Sequence, residues 1–121
     1  MNKIENAKIV SADLSMEDLG VFTFDLVLEG YGWGCNFGGY VLGKGYVGAS
    51  DDDFEGYAAG TEVIMRIMNV VGATRFSELK GKYVRVRHEG WGKEILAIGN
   101  IIEDKWFSYK EFFAKKKEND E

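Results

Sequence analysis

The chain reads as an α+β domain: an antiparallel sheet of about five strands, one central helix and a short C-terminal helix. Three observations predict this. Apolar residues alternate over 21–29, they recur at helical spacing over 58–71, and two strand-like segments meet at a glycine-bearing turn over 89–93.

The first strand is expected over 3–14, where apolar residues alternate loosely. The second covers 21–29, where Phe22, Phe24, Leu26 and Leu28 share one face against Thr23, Asp25 and Glu29. Ser15-Met16-Glu17-Asp18 between them is expected as a one-turn helix or a loop. A third strand is predicted over 33–42, and the glycine-rich, acidic stretch 43–56 reads as a loop. The central helix is predicted over 58–71, because Val63, Ile64, Ile67, Met68 and Val71 form one face and Glu62, Arg66 and Asn69 another. Gly72 stands where a left-handed cap belongs. A turn of helix at 77–79 precedes a strand over 82–88, which 89–93 turns back into an apolar strand over 94–102. Ser108 with Glu111 three residues on is a capping box, placing Tyr109, Phe112 and Phe113 on the apolar side of the last helix. Residues 1–114 are expected to form one ligand-binding domain, and 115–121 a charged, frayed tail.

A length of 121 residues suits one domain, and 45% apolar residues suffice for its core. The longest apolar run, near 95–102, is too short for a bilayer, and the chain does not open like a signal peptide, so a cytoplasmic protein is expected. Cys35 is alone, which rules out an internal disulfide framework. The net charge of −5 argues against long nucleic acid as a partner, while leaving room for a local basic pocket.

Two glycine–aromatic tracts are candidate stacking sites: Gly30-Tyr31-Gly32-Trp33-Gly34, running on through Tyr40, and Glu89-Gly90-Trp91-Gly92-Lys93. The alternative is structural, with hairpin turns whose aromatics fill the core. Arg85 and Arg87 alternate with Val84 and Val86, so both project with Tyr83 from one strand face, just before Trp91. Such a pair would grip phosphate; equally, it would be matched by carboxylates on a neighbouring strand. Gly60 and Thr61 at the start of the central helix offer N–H groups to an anion or simply begin the helix. His88, the lone imidazole, reads as structural, and Cys35 as a small buried side chain. Asp51-Asp52-Asp53 with Glu55 lacks calcium-loop spacing and reads as a solvated acidic loop. Neither the phosphate-loop nor the dinucleotide glycine pattern is met, and no metal or cofactor is expected.

The segments Lys3-Ile4-Glu5-Asn6-Ala7-Lys8-Ile9, Gly38-Gly39-Tyr40-Val41-Leu42, Ile64-Met65-Arg66-Ile67-Met68 and Ile98-Gly99-Asn100-Ile101-Ile102-Glu103-Asp104-Lys105-Trp106-Phe107 resemble small proteins of phages and prophages of Gram-positive bacteria. Among these the chain is most similar to the Thoeris anti-defence sponge family. The resemblance implies a non-enzymatic phage protein that binds a cyclic ADP-ribose isomer made by TIR-domain defence proteins and keeps it intact. It also implies a homo-oligomer built from dimers, with pockets near subunit boundaries, and extends the ligand class to cyclic oligonucleotides. The candidate ligand-binding set is Trp33, Tyr40, Arg66, Arg85, Arg87, Trp91 and Asn100, resting on the chemistry of these residues. Two rivals stay open: a phage protein that inhibits a host nuclease or CRISPR effector through its acidic surface, and a small nucleotide-processing enzyme using Asp25, Glu29, Glu103 or Asp104.

Overall fold

The computed structural model describes residues 2–18, 20–90 and 94–119. Alternation along β1 (Lys3–Asp18) and β2 (Val21–Gly30) gives the sheet one buried face, on which Ile9, Phe24, Leu26 and Leu28 are fully covered. The strands pair antiparallel from Lys8 opposite Glu29 to Asp18 opposite Val21. Residues 15–18 are therefore strand rather than a helical turn or loop, because pairing such as Ser15 with Thr23 occupies their backbone groups.

A two-residue turn at Tyr31 and Gly32 returns the chain into β3 (Trp33–Lys44), with Gly32 at φ 76° as such a turn requires. A single 3-10 turn at Asp51–Asp53 precedes β4 (Glu55–Gly56), which pairs with the end of β3. The helix α1 (Ala58–Val71) occupies the expected span and ends at Gly72, whose left-handed backbone donates its N–H to Met68 O. Next come β5 (Tyr83–His88), β6 (Ile95–Asn100), β7 (Trp106–Phe107) and α2 (Tyr109–Asn119). The Ser108 hydroxyl accepts from Glu111 N–H at 3.3 Å, as the capping box predicts. The helix continues to Asn119, so residues 115–119 are helical where a frayed tail is expected.

The sheet is antiparallel with order β4-β3-β2-β1-β5-β6-β7. Among the described residues it has seven strands rather than about five, and the additional β4 and β7 have two residues each, too few to show alternation. The expected strand over 94–102 stops at Asn100, whose side-chain oxygen accepts from the N–H groups of Ile102 and Glu103 and bends the chain.

Both helices cover the same sheet face. α1 lies over β3, β6 and β7, and Val63 and Ile67 are fully buried. Rings from α2 pack on the strands: Tyr109 meets Phe37 at 4.9 Å and Phe107 at 5.1 Å. Phe107 and Phe112 are thus buried within one chain. Among the described residues no helix is long and apolar enough to cross a membrane.

Candidate functional site

Strand register brings part of the expected set together on the face away from the helices. Tyr83, Arg85 and Arg87 stand opposite Lys8, Asn6 and Ile4 of β1, while Gly99 of β6 stands opposite Arg85 and is followed across the ladder by Trp106. Both guanidinium carbons lie over the Trp106 ring, at 4.9 Å for Arg85 and 5.0 Å for Arg87. Among the described residues, Trp106 is therefore a ring shared by both arginines. Trp91, expected in that role, lies outside the described residues.

The two arginines differ in what remains available. Arg85 Nε donates to Asn100 O at 2.7 Å and its Nη2 to Glu103 O at 2.8 Å, so its fork holds the β6–β7 turn instead of waiting for a phosphate. The Arg87 side chain lies over Trp106 and makes no hydrogen bond among the described residues. Asn100 is likewise structural: its amide donates to Val70 O at 2.9 Å near the end of α1, while its oxygen serves the turn. A ligand at Arg85 or Asn100 would have to displace these bonds.

Trp33 and Tyr40 face the helix side of β3 and pack against the core. The Trp33 ring covers Gly30, directly opposite on β2, where a side chain would collide with it. Tyr40 lies 5.9 Å from Tyr109 and 5.1 Å from Phe113, so both expected stacking rings are filling space within the chain. Gly60 and Thr61 also lose their anion-binding reading, because both N–H groups donate to Tyr57 O and Gly60 is pressed against Leu42. His88 is buried and meets the Glu5 carboxylate. Burial raises the Cys35 thiol above its usual range, opposite to what a nucleophile needs. Among the described residues no group of His, Cys, Asp and Glu is placed to hold a metal ion.

Arg66 belongs to a different place, a groove of about 790 Å³ bounded by α1, β7 and α2. Phe107, Phe112 and Val70 supply apolar surface there, and Asn69 and Ser108 add hydrogen-bonding groups. Its cations, Arg66, Lys105, Lys115 and Lys116, outnumber its carboxylates, Glu62 and Glu111. Glu62 sits between two of the cations, 2.6 Å from Lys116 and 2.6 Å from Arg66, which together hold its carboxyl below the usual range. Arg66 and Lys116 also lie over the Phe112 ring at 5.8 and 5.6 Å. This sets two cationic heads over the Phe112 ring at the groove.

Of the expected set within the described residues, Arg85 and Arg87 share the Trp106 ring, Arg85 also bonds Asn100 O, Arg66 lines the groove, and Trp33, Tyr40 and Asn100 serve the fold. Lys105, Lys115 and Lys116 escaped sequence reasoning because they come from a turn and from a helix segment read as tail. The signal available was the spacing of Phe112 and Lys116, one helical turn apart on α2. No protein-family model matches the chain, and neither a curated protein nor a solved structure is found to match it.

Proposed function

We propose that this protein is a non-catalytic binder that sequesters a cyclic adenine nucleotide of the cyclic ADP-ribose type, and that the groove between α1, β7 and α2 receives it. The observation that carries the reading is the basic lining of this groove, four cations to two carboxylates, in a chain whose net charge is −5. A pyrophosphate would meet Lys115 directly and compete with Glu62 for Arg66 and Lys116 and with Glu103 for Lys105, and an adenine would lie against the cationic groups that cover Phe112. The volume falls within the range of small-molecule sites. The phage anti-defence role, blocking effector activation by a TIR-derived signal, follows from the family resemblance and joins this site only at the level of ligand chemistry.

Thermal unfolding with and without cyclic ADP-ribose isomers tests it. At a ligand concentration a hundred times the dissociation constant, stabilisation of about 2.7 kcal/mol is expected. Lys105→Glu and Lys115→Glu together should abolish the shift while leaving the unliganded protein folded. No stabilisation by any isomer, or the accumulation of linear product over many turnovers in mass analysis, overturns the sequestration reading.

A further inference from the structure

The sheet is closed very unequally at its β3 edge. β3 is twelve residues long, yet β4 covers only Gly43 and Lys44, opposite Gly56 and Glu55. From Gly34 to Val41 the side of β3 away from β2 has no strand partner among the described residues. Proteins usually guard such an edge with charged side chains or proline. Here the chain has no proline, and residues 33–43 carry no charged side chain, the first being Lys44, already covered by β4.

We propose that this edge pairs with the same edge of a second copy, antiparallel about a two-fold axis through Asn36. Residues opposite each other in an antiparallel ladder share a face, so a two-fold pairing must be centred on a residue rather than between two. Centring on Asn36 sets Gly34 against Gly38, Cys35 against Phe37, and Asn36 against its own counterpart. The segment Gly34-Cys35-Asn36-Phe37-Gly38 is self-complementary in this register: glycine meets glycine, one apolar side chain meets another on the helix side, and two amides meet at the axis. Gly34, Asn36 and Gly38 are exposed, and Gly34 to Phe37 keep an unbroken register with β2, while Gly38, at φ 149°, stands where the irregularity begins. Charge argues for a second copy over an unrelated strand, because a neutral edge pairs without cost to another neutral edge, and its own counterpart matches it in length and pattern. The product is one continuous sheet with all four helices on the same side. The inference stands apart from the ligand-binding groove.

The experiment is light scattering of the protein alone across micromolar to millimolar concentration, with hydrogen exchange at the ends of that range. The expected result is a monomer–dimer equilibrium, with protection of the 34–38 amides rising as dimer forms. Asn36→Lys sets two ammonium groups against each other at the axis and should weaken the dimer at least tenfold, whereas Ser77→Lys, in an exposed turn, should leave it unchanged. In a Cys35→Ser background, Asn36→Cys should cross-link the dimer under mild oxidation, since opposite Cα atoms lie about 4.5–5.5 Å apart, within disulfide reach. A chain that stays monomeric at the highest concentration overturns the proposal. So does a dimer that Asn36→Lys leaves intact, or one that Asn36→Cys does not cross-link.

Discussion

Trp106 lies across Gly99, the residue opposite it on the neighbouring strand, so closely that a Cβ on Gly99 would stand 2.6 Å from Trp106 Cε3. The indole fills the space a side chain would occupy and carries Arg85 and Arg87 above it. Gly99→Ala must push the ring away, and overpacking of this kind costs about 2 kcal/mol. Gly56→Ala, where an added Cβ meets nothing within 4 Å, should be near neutral. Denaturant unfolding of the two variants checks the contrast, and equal stability would mean that the ring moves freely.

The two arginines on that ring should separate in the same assay. Arg85→Ala removes charged hydrogen bonds to Asn100 O and Glu103 O and should cost about 2–3 kcal/mol. Arg87→Ala removes one stacking contact and should cost about 0.5–1 kcal/mol. Neither substitution should weaken ligand binding in the groove by more than a few-fold. A large loss of affinity in a folded Arg87→Ala protein would move the site to the open sheet face.

Period was what the sequence conveyed best. The α1 span and its Gly72 cap were legible because fourteen residues at helical spacing leave few alternatives. The alternation of Arg85 and Arg87 with Val84 and Val86 likewise fixed their shared face. What period could not convey was the neighbour across the sheet. Trp91, nearest to the arginines along the chain, lies outside the described residues, while Trp106 reaches them only because β7 folds back against β6. The same limit applies to Asn100, whose partners at Val70 and in the 102–103 turn depend on where α1 ends in space. The groove was illegible for a related reason: its cations come from three elements and form no motif.

Acid stability should depend on Glu78. Its carboxylate accepts from Thr74 N–H, the Thr74 hydroxyl and Arg75 N–H at 2.8–2.9 Å, closing the turn after α1, and these bonds hold its pKa below the ordinary 4.5. A carboxyl depressed in the folded state adds stability above its unfolded pKa, and that contribution disappears as pH falls through the folded value. Glu62, lowered by Lys116 and Arg66, acts in the same direction. Unfolding free energy measured from pH 6 down to pH 2 should therefore fall less steeply in Glu78→Gln than in the parent. Parallel curves would show that the turn is indifferent to this charge.

Tyr109 offers the opposite case, a substitution that should help. Its ring is useful, packing on Phe37, Tyr40 and Phe107, but its hydroxyl is buried with no hydrogen-bond partner among the described residues. Burial, with Asp25 and Tyr40 nearby, drives the phenol well above its ordinary pKa, so it stays neutral over the whole working range. An unsatisfied buried hydroxyl costs about 1–3 kcal/mol, whereas phenylalanine keeps the ring and discards that cost. Tyr109→Phe should raise unfolding stability by about 1 kcal/mol, with no pH dependence between pH 5 and 9. Tyr40→Phe, in the same cluster, separates the hydroxyl's burial from the ring's packing, because Tyr40 is less deeply buried and should gain less. A loss of stability in Tyr109→Phe would mean that a bound water or a second chain satisfies the hydroxyl in solution.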